Sequence, residues 1–216
     1  MNRKLQVVAL FLSVFFLVPS AVSSVIAIGP GSLPVGSPTL TFTGLNAIEV
    51  NGLVVSGVLF NYSLGNGGVI IDGGPGMTND IAPPNIVSIG PDNGILTITL
   101  PSLANNFGYG YAILSTSTVV NATTINLYNG STAVGSLSYN GLPDPIFAGG
   151  FAGISSTLAF NRVQLAFNSA VAPAFALDNV TFTPLPEPST LLLVGTGLCL
   201  VLISKFKSQG RGDVKE

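Results

Sequence analysis

Carboxylates are the reactive side chains this chain offers in number. It has 216 residues, no histidine and a single cysteine. Without imidazole, Ser-His-Asp and Cys-His machinery, most zinc sites and the commonest general base are excluded. Cys199 stands in a leucine- and valine-rich run near the C-terminus, where a thiol is of no use as a nucleophile. Gly73-Gly74-Pro75-Gly76 lacks the lysine and the following helix of a phosphate loop. What remains is glycoside cleavage by two carboxylates, one acting as acid and the other as base or nucleophile. The candidates in the body of the chain are Glu49, Asp72, Asp80, Asp92, Asp144 and Asp178. Five of the six lie in or beside Gly/Pro/Asn turns or at strand ends, where aspartate bonds its own backbone. Turn capping is therefore expected of them ahead of catalysis, and the chain reads as a non-enzyme.

Two sets of residues suggest binding. Tyr109-Gly110-Tyr111, with Phe107 nearby, would offer flat rings for a sugar to stack on, so Tyr109 and Tyr111 are the candidate ligand residues. Aromatic rings also fill strands and cores, and the chain has no tryptophan, so core or rim packing is the competing and favoured expectation. Asp178-Asn179 interrupts an apolar strand, and the run Leu177-Asp178-Asn179-Val180-Thr181-Phe182 resembles the closing strand of secreted jelly-roll modules of the galactose-binding type. That resemblance implies that Asp178 helps hold a structural Ca²⁺, with Glu49 or a loop carbonyl, because calcium takes hard oxygen ligands. The alternative is a strand-edge acid or a hydrogen bond to a loop N–H. It is preferred, since calcium wants about six to eight ligands and Asp178 stands alone. No other cofactor is expected.

These residues are carried by strands. Between residues 28 and 183, apolar and polar side chains alternate with the period of a half-buried strand. Such runs are Leu40 to Thr43, Val54 to Leu64 (Val58, Phe60 and Tyr62 on one face), Ile95 to Leu100, Thr118 to Tyr128, Leu158 to Phe167 and Ala174 to Thr183. Asn129-Gly130 predicts a hairpin, because both residues accept the positive φ of a tight turn. Asn140-Gly141, Asp92-Asn93-Gly94 and Gly65-Asn66-Gly67-Gly68 mark further turns. Asp72 to Asn85 and Pro143 to Gly153 read as long irregular segments, the kind that often carries function. Four Asn-X-Ser/Thr triplets, beginning at Asn61, Asn121, Asn129 and Asn179, read as turn and strand-face residues. An apolar fraction of 47% argues against disorder. The expected architecture is all-β, an antiparallel β-sandwich of jelly-roll, galactose-binding-like form.

The two ends concern location. Arg3 and Lys4 precede an apolar run from Leu5 to Val18 and then small residues, the pattern of a secretory signal peptide over residues 1–27, cut after Ser23, Ser24 or Ala27. At the other end a proline-rich linker, 184–188, contains Pro186-Glu187-Pro188. An uncharged apolar run, 189–204, follows, and then a basic tail, 205–216, with Lys205, Lys207 and Arg211. A helix over 189–204 would rise about 24 Å against a hydrocarbon thickness of about 30 Å, a marginal span that snorkelling lysines help to complete. The cationic end places it on the cytoplasmic side. This arrangement resembles the PEP-CTERM sorting signal of bacterial surface proteins. That resemblance implies a membrane-embedded processing enzyme of the exosortase type as partner, cutting near the triplet. Asp213 and Glu216 depart from the plain basic end of the family.

Between Val25 and Pro184 six acids face one cation, Arg162, which leaves no electrostatic footprint for nucleic acid. An exported body without cysteine is held by its core alone. The expected protein is exported, anchored at the outer face of the bacterial inner membrane and passed to the cell surface or extracellular matrix. Its body would be a structural or adhesive sandwich. The alternatives are a carbohydrate-binding module of an exopolysaccharide layer and, behind it, a surface glycosidase.

Overall fold

Alternating side chains make two-faced strands, and strands account for nearly all of the regular structure. The computed structural model describes residues 24–185 apart from 46, 89, 91, 92 and 172. The chain divides into two units, Met1–Pro184 and Leu185–Glu216, and the described residues belong almost wholly to the first. In order, the strands are β1 (Val25–Ala27), β2 (Thr39–Leu40), β3 (Ile48–Glu49), β4 (Leu53–Val55), β5 (Val58–Tyr62), β6 (Val69–Asp72) and β7 (Asn85–Ser88). They are followed by β8 (Ile95–Ile113), β9 (Val119–Asn129), β10 (Thr132–Asp144), β11 (Phe147–Phe167) and β12 (Phe175–Pro184). One 3-10 turn, Pro30–Ser32, lies between β1 and β2. The pairings between these strands are antiparallel.

Two strands organise the rest. β8 has 19 residues and β11 has 21, and each passes through both layers. In the first layer the order is β4-β5-β8-β11-β9-β10, using the start of β8 and the end of β11. In the second layer the end of β8 lies between the start of β11 and β12. β7, β6 and β3 continue outward from β12, while β2 adds to β12 and β1 to β11. Between the layers the β8–β11 register jumps from Ser155↔Asn106 to Phe160↔Ala104 and then to Arg162↔Thr99. Extra residues of this kind bend a strand and form the corner of a sandwich. Pro101 sits in the gap, where its missing N–H breaks no ladder bond to β11.

The inner faces of both layers form one core. Phe60, Ile98, Ile125 and Leu165 from the first layer and Ile71, Phe107, Tyr109 and Leu177 from the second are all fully buried. Phe167 stacks on Phe175 with centroids 3.9 Å apart and planes 5° apart, joining the end of β11 to β12.

The β-sandwich expected from the periodicity is present, with differences in detail. The run Val54 to Leu64 is not one strand. Ser56 and Gly57 adopt φ 49° and 81° and fold it into the β4–β5 hairpin, while Val58, Phe60 and Tyr62 are buried as expected. Pro143 to Gly153 is not irregular either. It is the β10–β11 hairpin, pairing Leu142↔Gly149 to Asp144↔Phe147. The sheet also begins before residue 28, because β1 pairs Val25–Ala27 with Ile154–Ser156. Among the described residues no helix is long and apolar enough to cross a membrane. The leader helix, the sorting triplet Pro186-Glu187-Pro188, the span 189–204 and Lys205, Lys207 and Arg211 lie outside the described residues.

Candidate functional site

Tyr109 and Tyr111 are core residues, the reading preferred over a stacking platform. Both rings point inward, at 0% and 1% exposure. Alternation along β8 sends odd-numbered residues to the core here, and the hydroxyls find partners there. Tyr109 Oη is bonded to Thr123 Oγ1 of β9, across the two layers, and Tyr111 Oη donates to the Asn140 carbonyl at 2.9 Å. Burial pushes the Tyr111 phenol up to about 12 and Tyr109 higher still. Thus these tyrosines hold the layers together and present no face to a ligand.

The outward positions of β8 are Gly108, Gly110 and Ala112, and the segment joining β6 to β7 straps across the last two. A Cβ on Gly110 would come within 2.6 Å of the Asp80 carbonyl carbon, so only glycine lets the strap lie this close. Ile81 packs on Ala112 and Ala176. Acids tie the strap down. Asp178 Oδ2 accepts from Ala82 N at 3.1 Å, and Asp144 Oδ2 accepts from Asn79 N at 2.8 Å. Thr78 Oγ1 donates to the Asp144 carbonyl at 2.9 Å, and Asn179 Nδ2 donates to the Asp80 carbonyl at 2.8 Å.

Asp178 thus makes the preferred bond to a loop N–H, although it does not sit at a strand edge. It is 2% exposed on β12, a strand flanked by β7 and β8, and burial raises its carboxyl above the ordinary carboxylate range. Bonds from the Asn179 and Ala82 backbone pull the other way. Its Oδ1 has no partner, and neither do Oδ1 and Nδ2 of Asn85, which is also fully buried. The pairing of Asp178 with Glu49 expected for calcium is not made. Glu49, the expected co-ligand, accepts instead from Gly67 N at 3.0 Å. Among the described residues no three His, Cys, Asp or Glu side chains gather as a metal site. One carboxylate and one amide fall well short of the ligands calcium takes.

Asp72 and Asp144 end strands and bond backbone N–H groups, as their sequence neighbours suggest. Asp72 Oδ1 accepts from Gly73 N at 2.6 Å, and Asp144 is engaged as above. Asp92 lies outside the described residues.

Beside the strap opens a cleft of about 400 Å³. Asn79, Asp80, Ile81 and Ala82 form one wall, Pro30, Leu33 and Pro34 contribute to another, and Phe151, Asn179, Thr181 and Thr39 complete the lining. Phe151 is half-buried. Its ring rests on Gly108 and Gly153, a cross-strand pair whose missing side chains make a flat bed. A hydroxyl ladder runs along the same face, with Thr39 Oγ1 2.8 Å from Thr181 Oγ1 and Ser37 Oγ 3.0 Å from Thr183 Oγ1. The cleft therefore combines one aromatic ring with uncharged hydrogen-bonding groups and the exposed Asp80. Sequence reasoning passed over Phe151. Its signal is an aromatic set among Gly149, Gly150 and Gly153, but glycine there reads as a loop until the partner strand is known.

No family model and no curated protein matches the chain. Among solved structures, a point mutant of CBM29-2, a family 29 carbohydrate-binding module, aligns at 11% identity over 78% of this chain and 99% of that one, with a TM-score of 0.31. A structure described as carbohydrate-binding module family 29 aligns at 12% identity over 79% and 99% of the two chains, with a TM-score of 0.28. The enzymatically active domain of tailspike protein 4 from bacteriophage CBA120 aligns at 18% identity over 63% of this chain and 22% of that one, with a TM-score of 0.34. Scores this low leave fold and function to be argued from the chain's own register and surfaces.

Proposed function

We propose that this chain is an exported bacterial cell-surface or extracellular-matrix protein whose jelly-roll-like sandwich, akin to the galactose-binding modules, binds carbohydrate. The observation that carries the reading is the cleft whose lining joins Phe151 to Asn79, Asp80, Asn179 and Thr181. A sugar ring has an apolar C–H face and a rim of hydroxyls. An aromatic ring matches the first, and amide, carboxylate and hydroxyl groups match the second. The ends supply location. The leader would export the chain, and 189–204 would hold it in the inner membrane with Lys205, Lys207 and Arg211 inside. An exosortase-type enzyme would then cut near Pro186-Glu187-Pro188.

A glycan array with the purified full-length protein tests the binding. Specific signals that Phe151→Ala removes support it. Uniform blanks return the body to a structural or adhesive role. The sorting is tested separately: deleting Pro186 to Glu216 is expected to release the protein in soluble form, and firm membrane retention of that deletion refutes the anchor.

A further inference from the structure

The outward positions of the first layer fall into line across five strands. Asn61 of β5 pairs with Thr97 of β8, Thr97 with Gln164 of β11, Gln164 with Asn126 of β9, and Asn126 with Ser136 of β10. Their chain neighbours Phe60, Tyr62, Leu96, Ile98, Val163, Leu165, Ile125 and Leu127 are buried. The two-residue period therefore puts this row on the face away from the core. Four inter-strand gaps make it about 19 Å long. Beside it, Arg162 lies over the ring of Tyr128, 4.6 Å from the centroid.

The chemistry of the row is unusual for a solvent-facing sheet, which ordinarily carries charges of both signs. Here the five side chains are amides and hydroxyls. Ser136 Oγ donates to Asn126 Oδ1 at 2.8 Å, which leaves the Nδ2 donors of that amide uncommitted to Ser136. Among the described residues no hydrogen bond engages the side chains of Asn61, Thr97 or Gln164. Covering such a row with another polar surface buries no charge, and each group can exchange water for a ligand hydroxyl at little loss. The row has no large apolar anchor of the kind that dominates protein–protein interfaces. Arg162 is the one cation of the body and is already placed on Tyr128, so an acidic polymer would find little to neutralise it.

We infer that this row is a second binding face, for an extended, uncharged polysaccharide chain lying across the five strands. It is built on the opposite layer from the Phe151 cleft and does not depend on it. Evenly spaced donors and acceptors suit a polymer of repeating hydroxyls, whereas the cleft suits a single sugar ring or a chain end.

The test is affinity electrophoresis of the full-length protein through gels containing neutral galactomannan, neutral mixed-linkage β-glucan or acidic alginate. The variants are Phe151→Ala, the double variant Asn126→Ala/Gln164→Ala, and the near-isosteric Gln164→Glu. Retardation by at least one neutral polymer, weakened roughly tenfold or more in the double variant and kept in Phe151→Ala, is the expected result. Gln164→Glu is expected to weaken it too by placing a charge in the row, and it guards against misfolding of the double variant. Retardation lost only in Phe151→Ala overturns the second face and leaves the cleft standing. Loss only in the row variants supports the second face and says nothing against the cleft, which the glycan array tests separately. Retardation by alginate alone, or by nothing, overturns the inference.

Discussion

Gly110→Ala is the most direct probe of how the strap is held. β8 cannot retreat from a new methyl group, because Gly110 is paired with Asp178 on one side and Phe151 on the other. The methyl would lie 2.6 Å from the Asp80 carbonyl carbon and 2.8 Å from its Cβ. Ordinary carbon contacts are about 3.5–4.0 Å, so the strap must rise by about 1 Å. Overpacking of this kind costs about 1–3 kcal/mol. The rise also strains two bonds, Ala82 N to Asp178 Oδ2 and Asn179 Nδ2 to the Asp80 carbonyl. At about 0.5–1.5 kcal/mol each, they bring the expected loss to about 2–6 kcal/mol. For a domain of this size each kcal/mol moves the melting point by about 2–4 °C, so a fall of about 4–24 °C is expected by differential scanning calorimetry. Hydrogen exchange should quicken in residues 73–84 ahead of the rest, and cleft binding should fall with it. Gly31→Ala is the control, since its added Cβ meets nothing within 4 Å. If Gly110→Ala melts within about 1 °C of the parent and exchange in 73–84 is unchanged, the account of the strap is wrong.

Three further outcomes are expected. Burial raises the Asp178 carboxyl, so its folded-state pKa lies above the unfolded one. Its contribution to stability is complete below the unfolded value and is lost as pH rises through the folded value. Urea titrations should therefore show Asp178→Asn gaining on the parent between acid and neutral pH, and a difference that does not vary with pH would count against a strained buried carboxylate. Tyr109→Phe removes the inter-layer bond to Thr123 and should lose about 0.5–1.5 kcal/mol in the same titrations, while Tyr109→Ala should lose about 3–5 kcal/mol by leaving a cavity. Mass spectrometry of the exported protein should find Ser24 or Val25 at its N-terminus, because cutting after Ala27 would strip β1 from Ile154–Ser156.

Local signals in the chain were good guides where the structure they describe is local. Asn129-Gly130 sits in the β9–β10 turn, with Thr132 paired to Asn129 and Gly130 at φ 58°. The alternation in Val58, Phe60 and Tyr62 found the inner face of β5. Misreadings arose where a residue answers to a distant partner. Gly149 and Gly153 look like loop residues, yet Gly149 sits in a strand against the Tyr111 backbone and Gly153 against the Ile28 carbonyl. Tyr109 and Tyr111 have the composition of a platform, but only the pairing of β8 decides that they point inward. Asp178 looks like a lone strand acid because the strap that covers it lies 96 residues away in sequence. Of the cleft, Asp80 and Asn179 drew notice while Phe151 did not. The outward row is invisible along the chain, since its members come from five strands and meet only through register.

The two long strands have a mechanical consequence. Because β8 and β11 each run through both layers, neither layer can peel from the other without tearing one of these strands. A pull on the body from beyond Pro184 enters through β12, whose pairs with β8 run from Pro184↔Ala104 to Phe175↔Ile113. Under a load directed along β12 those bonds are sheared together rather than broken one at a time. A tethered protein dragged by flow or by a bound polymer would carry the force along its longest ladders.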